Sequence, residues 1–439
     1  MKKYLLLTLL MLIALPALAQ QSPRFPELDH DRRAAIIDSL TAALDTVYVF
    51  PDVATEMVST VRLKLANRDY DEFTDVRDFT TQLTEDFRAI SHDLHLGVQV
   101  GQLPTAQEAE DPEIIRERER RFGRFINHNF QEAKRLPGNV GYLKFDGFGS
   151  SDEAMATAVA AMNFLSNSDA LIIDLTQNGG GSPSMIQLLT TYLVHEPTHL
   201  NSFYVRVTDD MKQFWTLPHV PGPSMADIPV YVLTSNRTFS AAEEFTYNLK
   251  NLERATIVGE TTGGGAHPVT GHEFAFPEYM ISMRLPFGRA VNPITGTNWE
   301  STGITPHLAC TKAEALDTAY LQALEALEMD CDDPMQKHAL AWTREGLTTA
   351  INPISLSKKE LKQFEGDYGP RHIKREGETL IYQRDDRDPF PMIAMGKDRF
   401  MFEDLDFFRI QFERNEQGKV VRLVGMYDNG RNDGNDRDK

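Results

Sequence analysis

The chain has 439 residues, 41% of them hydrophobic and 25% charged, with a formal net charge of −19 at pH 7. That length accommodates two or three domains with real cores. The acidity argues against nucleic acid as a partner, because its binding depends on neutralising phosphates with Lys and Arg.

The first segment reads as a targeting sequence. Lys2 and Lys3 precede the apolar run YLLLTLLMLIAL, and Ala17-Leu18-Ala19 forms a small-x-small cleavage site. The run is short for a membrane span of about 20 residues. Residues 1–19 are therefore expected to be a signal peptide cut before Gln20, giving an exported, periplasmic protein with no stable membrane insertion. Residues 20–105 follow as a helical N-terminal domain ending in a strand. Ala34, Ile37, Leu40, Leu44 and Val47 recur at helical spacing, as do Met57, Val61 and Leu65, and a third helix is predicted from Val76 to Ile90. HDLHLGVQVG (92–101) alternates like a half-buried strand, with Leu94, Leu96, Val98 and Val100 on one face and Asp93, His95, Gly97 and Gln99 on the other. Residues 106–137 are charged and read as a connector.

From 138 to 330 the pattern becomes α/β. The apolar runs NVGYLKF, ALIIDL, IPVYVLT and ATIVGE alternate with helical stretches at 151–166, 182–194 and 240–252. That alternation predicts a largely parallel sheet, with ligands beyond the carboxyl ends of its strands. Both Gly179-Gly180-Gly181 and Ser240 lie just past strand ends. Residues 350–428 carry short alternating runs and predict a small β-rich domain, and 429–439 read as a disordered polar tail. Cys310 and Cys331 are the two cysteines; an oxidising compartment permits a disulfide between them but two residues give no framework.

Ser240, in TFSAAEEF, stands where a buried strand meets a helix. The N–H groups of Ala241 and Ala242 then lack helical partners and point outward beside it, which suits an oxyanion. A plain helix cap is the competing reading, and Thr238 offers a second cap. The glycine triplet brings more backbone N–H groups, chiefly those of Gly179 and Gly180, to a second wall. No His or Cys cluster has metal-ligand spacing, and Gly263-Gly264-Gly265 lacks the Lys-Ser/Thr of a phosphate loop, so neither metal nor cofactor is expected.

LIIDLTQNGGGSP (171–183), TSNRTFSAAEEFTYNLKNLERATIVGETTGGGAHP (234–268) and NWESTGITPH (298–307) resemble, in this order, the tail-specific and tricorn-type serine peptidases. That family also includes the repeats of interphotoreceptor retinoid-binding protein. The resemblance spans roughly 30–330 and implies an α/β, crotonase-like core with Ser240 as nucleophile acting on peptides or proteins. The processing peptidases of the family use a lysine base, but Gly265 stands at that position. Lys250 lies almost three turns along the helix from Ser240. The tricorn branch uses a histidine and a glutamate instead, which places the base at His95 and its orienting carboxylate at Glu300. His92 and His267 are rival bases, Asp93 is a rival orienter, and His267 and Gly264 are candidates for lining the pocket. An ionised Glu300 would raise the imidazole pKa. Fewer than forty residues separate Val100 from Gly138, too few for the peptide-binding PDZ domain of processing peptidases. Retinoid-binding relatives supply the alternative reading, a carrier of apolar ligands. Oligomeric state is not legible.

Overall fold

The computed structural model describes residues 25–104 and 111–438. Residues 1–19, expected to be a signal peptide, lie outside them. Among the described residues no helix is long and apolar enough to cross a membrane.

Three helices open the chain, α1 (His30–Val47), α2 (Pro51–Ala66) and α3 (Val76–Ser91). Asp29 and Asp75 cap α1 and α3 by accepting from Arg32 N and Arg77 N. The helical stripes predicted from spacing are buried: Ile37, Leu40, Leu44, Met57, Val61, Phe79, Leu83 and Phe87 share one core. That core is closed by β1 (Gly97–Gly101), which supplies Val98. The strand is shorter than expected. His92 adopts a left-handed φ of +55° and ends α3, so residues 92–96 form a turn. The alternation there is inverted: Asp93 and His95 are buried and Leu94 is 44% exposed.

The expected connector contains α4 (Pro112–Phe125), followed by β2 (Phe130–Leu136). β2 pairs antiparallel with β3 (Val140–Phe145), so the main sheet begins before residue 138. The sheet continues in parallel through β4 (Ala170–Asp174), then beyond β5 (His199–Val205) and β6 (Asp210–Trp215) in sequence to β7 (Val230–Thr234) and β8 (Thr256–Gly259). Alternation sorts its side chains onto two faces. Leu171, Ile173, Val230 and Val232 pack beneath α5 (Asp152–Leu165), α6 (Pro183–Thr191) and α7 (Ala241–Asn251). Ala170, Ile172, Tyr231 and Leu233 face α8 (Ala315–Asp330). With both faces covered, β4 and β7 are buried at every position.

Two smaller sheets flank the carboxyl ends of these strands. β9 (Val269–Ala275) and β10 (Met280–Pro286) form an antiparallel pair, and β10 also pairs with β1, which joins the helical region to the core. β11 (Gly288–Val291) pairs with β5, and β5 with β6. After β12 (Leu308–Ala309), α8 and the unanticipated α9 (Pro334–Ile351), an eight-stranded antiparallel meander fills the C-terminal region. Trp342 of α9 anchors it, donating from Nε1 to Asp406 O at 2.7 Å beneath the Arg409 guanidinium. The tail read as disordered is a correction: Asn432–Asp436 is the last strand of the meander, and Asp433 and Asn435 accept from buried Arg371. Cys310 and Cys331 are both free.

Candidate active site

The turn after β7 is stitched to the turn after β4. Ser235 Oγ donates to Thr176 O at 2.6 Å, Thr238 Oγ1 donates to Leu175 O at 2.8 Å, and Phe239 N donates to Asn178 O at 3.0 Å. Thr238 is thereby occupied, and the position before α7 falls to Ser240. Its backbone has φ +58° and ψ −122°, an unfavourable conformation for a residue with a Cβ. A carboxylate holds it there. Glu243, fully buried in the first turn of α7, accepts from Ser240 N at 2.9 Å, Gly265 N at 2.8 Å, Gly264 N at 2.7 Å and Thr262 Oγ1 at 2.5 Å. One side chain thus ties the serine to the 262–265 loop. Burial pushes its pKa up while these donors pull it down.

The glycine triplet packs against the serine from the other side. A Cβ on Gly180 would lie 2.7 Å from Ser240 Cβ, and one on Gly181 would lie 2.1 Å from Phe148 O. Only glycine fits there. The expected donors need correcting. Gly180 N is bound to Asn178 Oδ1 at 2.9 Å, and Gly179 N to Asp146 O at 3.3 Å. The N–H groups of Gly181 and Ala241 find no acceptor among the described residues. Both residues line a cavity of about 320 Å³ together with Ser240, His267, Phe203 and Trp299. Gly264 is not among the residues that line it; its N–H donates to Glu243 and its carbonyl accepts from Ser301 N.

His95 and Glu300 come together across the loop. In the turn after α3, Asp93 Oδ1 accepts from His95 N at 2.9 Å. The His95 ring lies over Phe239, the neighbour of Ser240, with ring centroids 4.6 Å apart. A Cβ on Gly265 would come within 2.7 Å of His95 Cε1, so the third glycine of that loop makes room for the ring. The ring is 4% exposed, and neither nitrogen has a hydrogen-bond partner. Glu300 Oε2 accepts from Ala266 N at 2.5 Å and His267 N at 3.3 Å, while its Oε1 is buried and unpartnered. Donor atoms of Asp93, His95 and Glu300 lie within 4.8 Å of one another, the one cluster among the described residues with spacing that suits a metal ion. Asp93 Oδ2 is bound to His267 Nδ1 at 2.6 Å, so it orients that ring. His92 is exposed, its backbone O accepting from Ser301 Oγ at 3.2 Å, and Lys250 Nζ donates to Thr305 O.

Burial sets the protonation of the pair. It pushes His95 down to about 4, against the opposing pull of Asp93, and pushes Glu300 up to about 7, against the His267 ring. The expected rise of the imidazole pKa is overturned, because desolvation outweighs the neighbouring charges.

A family model described as peptidase family S41 matches residues 139–310, and another, the N-terminal domain of Peptidase_S41 in eukaryotic IRBP, matches residues 29–131. Together they take in more than half of the chain. This chain belongs to peptidase family S41. Among solved structures it is similar to the photosystem II D1 C-terminal processing protease, with 21% identity over 42% of this chain and 46% of that one and a TM-score of 0.33. It is also similar to a Streptococcus agalactiae lipoprotein, with 13% identity over 70% and 99% of the two chains and a TM-score of 0.45. The tricorn protease aligns at 13% identity over 73% of this chain and 37% of that one, with a TM-score of 0.43. The S41 chain thus spans less than half the length of the processing protease and of the tricorn protease.

Two features of the S41 site escaped the sequence reading. Glu243 was visible only as Ser240-x-x-Glu243, the spacing of a capping box. Gly181 was hidden because internal acceptors, not the glycine pattern, decide which N–H stays free. The role of Glu243 has a direct test. Glu243→Ala strands three backbone N–H groups and the Thr262 hydroxyl, and is expected to destabilise the fold by about 3 kcal/mol or more. Urea unfolding measures this, and a midpoint equal to the parent's would refute the hub.

Proposed function

We propose that this S41 chain is an exported serine peptidase with a crotonase-like core. The observation that carries the reading is Ser240, held at positive φ on a strand–helix elbow beside the unused N–H groups of Gly181 and Ala241. In this reading Ser240 Oγ attacks the scissile carbonyl of a peptide or protein. His95 takes the proton and returns it to the leaving amine, and Gly181 N and Ala241 N receive the oxyanion. Glu300, with a carboxylate oxygen within 4.8 Å of a His95 ring nitrogen, closes on the ring as the imidazolium forms and accepts from it. Hydrogen bonds of this kind are often long before substrate binds and tighten in the complex. Water then hydrolyses the acyl-enzyme with His95 again as base. The helical segment, core and β-rich segment are proposed to be three domains.

A fluorophosphonate probe with peptide mass mapping is the test. The expected adduct is on Ser240, and absent from Ser240→Ala. Protein that stays unlabelled and carries an apolar ligand through purification would replace the peptidase by a carrier. Export has its own measurement: intact mass of periplasmic protein should begin at Gln20. A membrane-bound chain that keeps residues 1–19 would overturn cleavage.

A further inference from the structure

The cavity beside Ser240 holds a charged group that the mechanism above does not use. Glu244 follows Glu243 in α7 and lines this cavity, yet the residue is only 3% exposed. Its Oε1 and Asn201 Nδ2, on β5, are both buried and short of full hydrogen-bond geometry. The two side chains share one polar patch, the Asn201 amide donating toward the carboxylate and favouring its ionised form. Around this patch the walls are Phe203, Val205, Phe214 and Trp299. A buried carboxylate held by a single amide among aromatic rings is costly unless a further partner arrives.

Position fixes what that partner is. Ser240 and Glu244 are four residues apart at the start of one helix, with Glu244 N bonded to Ser240 O at 2.9 Å. They share a face, separated by about 6 Å of helix rise. A side chain leaving the carbon next to the attacked carbonyl must cover that distance along apolar walls and end in a group that satisfies a carboxylate. Lysine and arginine do both: their methylene stems pack on apolar surface and their ends donate to carboxylates. Lys212, the cation that lines the same cavity, sits on exposed β6 at its mouth, where water screens it.

We propose that Glu244 forms the floor of the primary specificity pocket and selects substrates with lysine or arginine on the acyl side of the scissile bond. The assignment rests on the serine peptidase reading. Burial pushes Glu244 up to about 7, against the Asn201 hydrogen bond, and a cationic guest would favour its ionised form.

Binding separates this assignment from catalysis. Ser240→Ala protein, which cannot turn over substrate, is titrated calorimetrically with acetyl-tripeptide amides ending in Arg, Lys, Leu, Gln or Glu. The Arg and Lys peptides are expected to bind about 30-fold more tightly than the Leu peptide, as charge-assisted hydrogen bonds to a buried acid require. Adding Glu244→Gln should erase that advantage, and Glu244→Asp, which keeps the charge one methylene back, should restore part of it for Arg. Equal or tighter binding of the Leu, Gln or Glu peptide overturns the assignment, as does an Arg preference that survives Glu244→Gln. The two readings fail separately. Fluorophosphonate labelling of Ser240 with no cationic preference removes the pocket assignment alone. Cationic preference without labelling supports the pocket and removes the peptidase.

Discussion

Ser240→Ala is expected to abolish peptide hydrolysis, with kcat falling by about 10⁴–10⁶-fold, while the protein melts where the parent does. The two halves of that expectation have different origins. Activity goes because the attacking oxygen goes. Stability stays because the turn is fixed by Ser240 N on Glu243 and by Ser235 and Thr238 beneath it, bonds that alanine keeps. Alanine also keeps the Cβ, and with it the strain of φ +58°. Ser240→Gly removes that strain, which is on the order of 1 kcal/mol or more, and should therefore melt above both parent and alanine variant while remaining inactive. Assays of purified variants with a quenched peptide, beside thermal melting, read both. More than a tenth of parental activity in Ser240→Ala would dismiss the nucleophile.

The second large effect is on the proton relay. His95→Ala should be about as damaging as Ser240→Ala, and the double variant little worse than either, because the residues act as one unit. The pH profile then separates the ring from its carboxylate. Glu300 is raised to about 7, so its negative charge is lost as pH falls through that value, and with it the support of the imidazolium. His95 is lowered to about 4, so the free ring is already a neutral base throughout this range. kcat/KM should therefore rise with pH through a single-proton limb near 7 that belongs to Glu300. Glu300→Gln should lower the plateau by about 10²-fold or more and abolish that limb, leaving a lower one from His95. His92→Ala should be mild. An active His95→Ala beside a dead His267→Ala would transfer the relay to the Asp93–His267 pair, whose 2.6 Å hydrogen bond already has the form of an orienting carboxylate on a base.

Much of the scaffold was legible because periodicity reports burial. The stripes of α1, α2 and α3, the doubly covered strands β4 and β7, and the elbow at Ser240 all followed from spacing. His95 is singled out by motif, but its local environment is not legible: a left-handed residue at His92 turns an apparent strand into a loop and sends Asp93 and His95 inward. Alternation cannot register a single change of backbone hand. The C-terminal strand Asn432–Asp436 was missed for a related reason, since its polar side chains satisfy a buried arginine instead of filling a core. β5 and β6, which build a wall of the cavity, carry too mixed a pattern to stand out. The choice between Gly179, Gly180 and Gly181 turned on Asn178 and Asp146, two acceptors whose roles exist only in three dimensions.

The pairing of β1 with β10 bears on how this site is lost. Ser240 is fixed in the core beneath α5, α6 and α7, whereas His95 is carried by the turn between α3 and β1, whose Leu96 and Val98 are buried with the front helices. The two proposed reacting groups therefore rest on separate hydrophobic cores, and the strand pairing at residues 97–101 and 280–284 lies within the front one. Cooperative units of a protein open with their own free energies, and the least stable opens first. If the front unit undocks, the serine keeps its elbow and its oxyanion donors but loses its base. Catalysis would fail before either unit unfolds, and the idle state would retain nearly all native secondary structure.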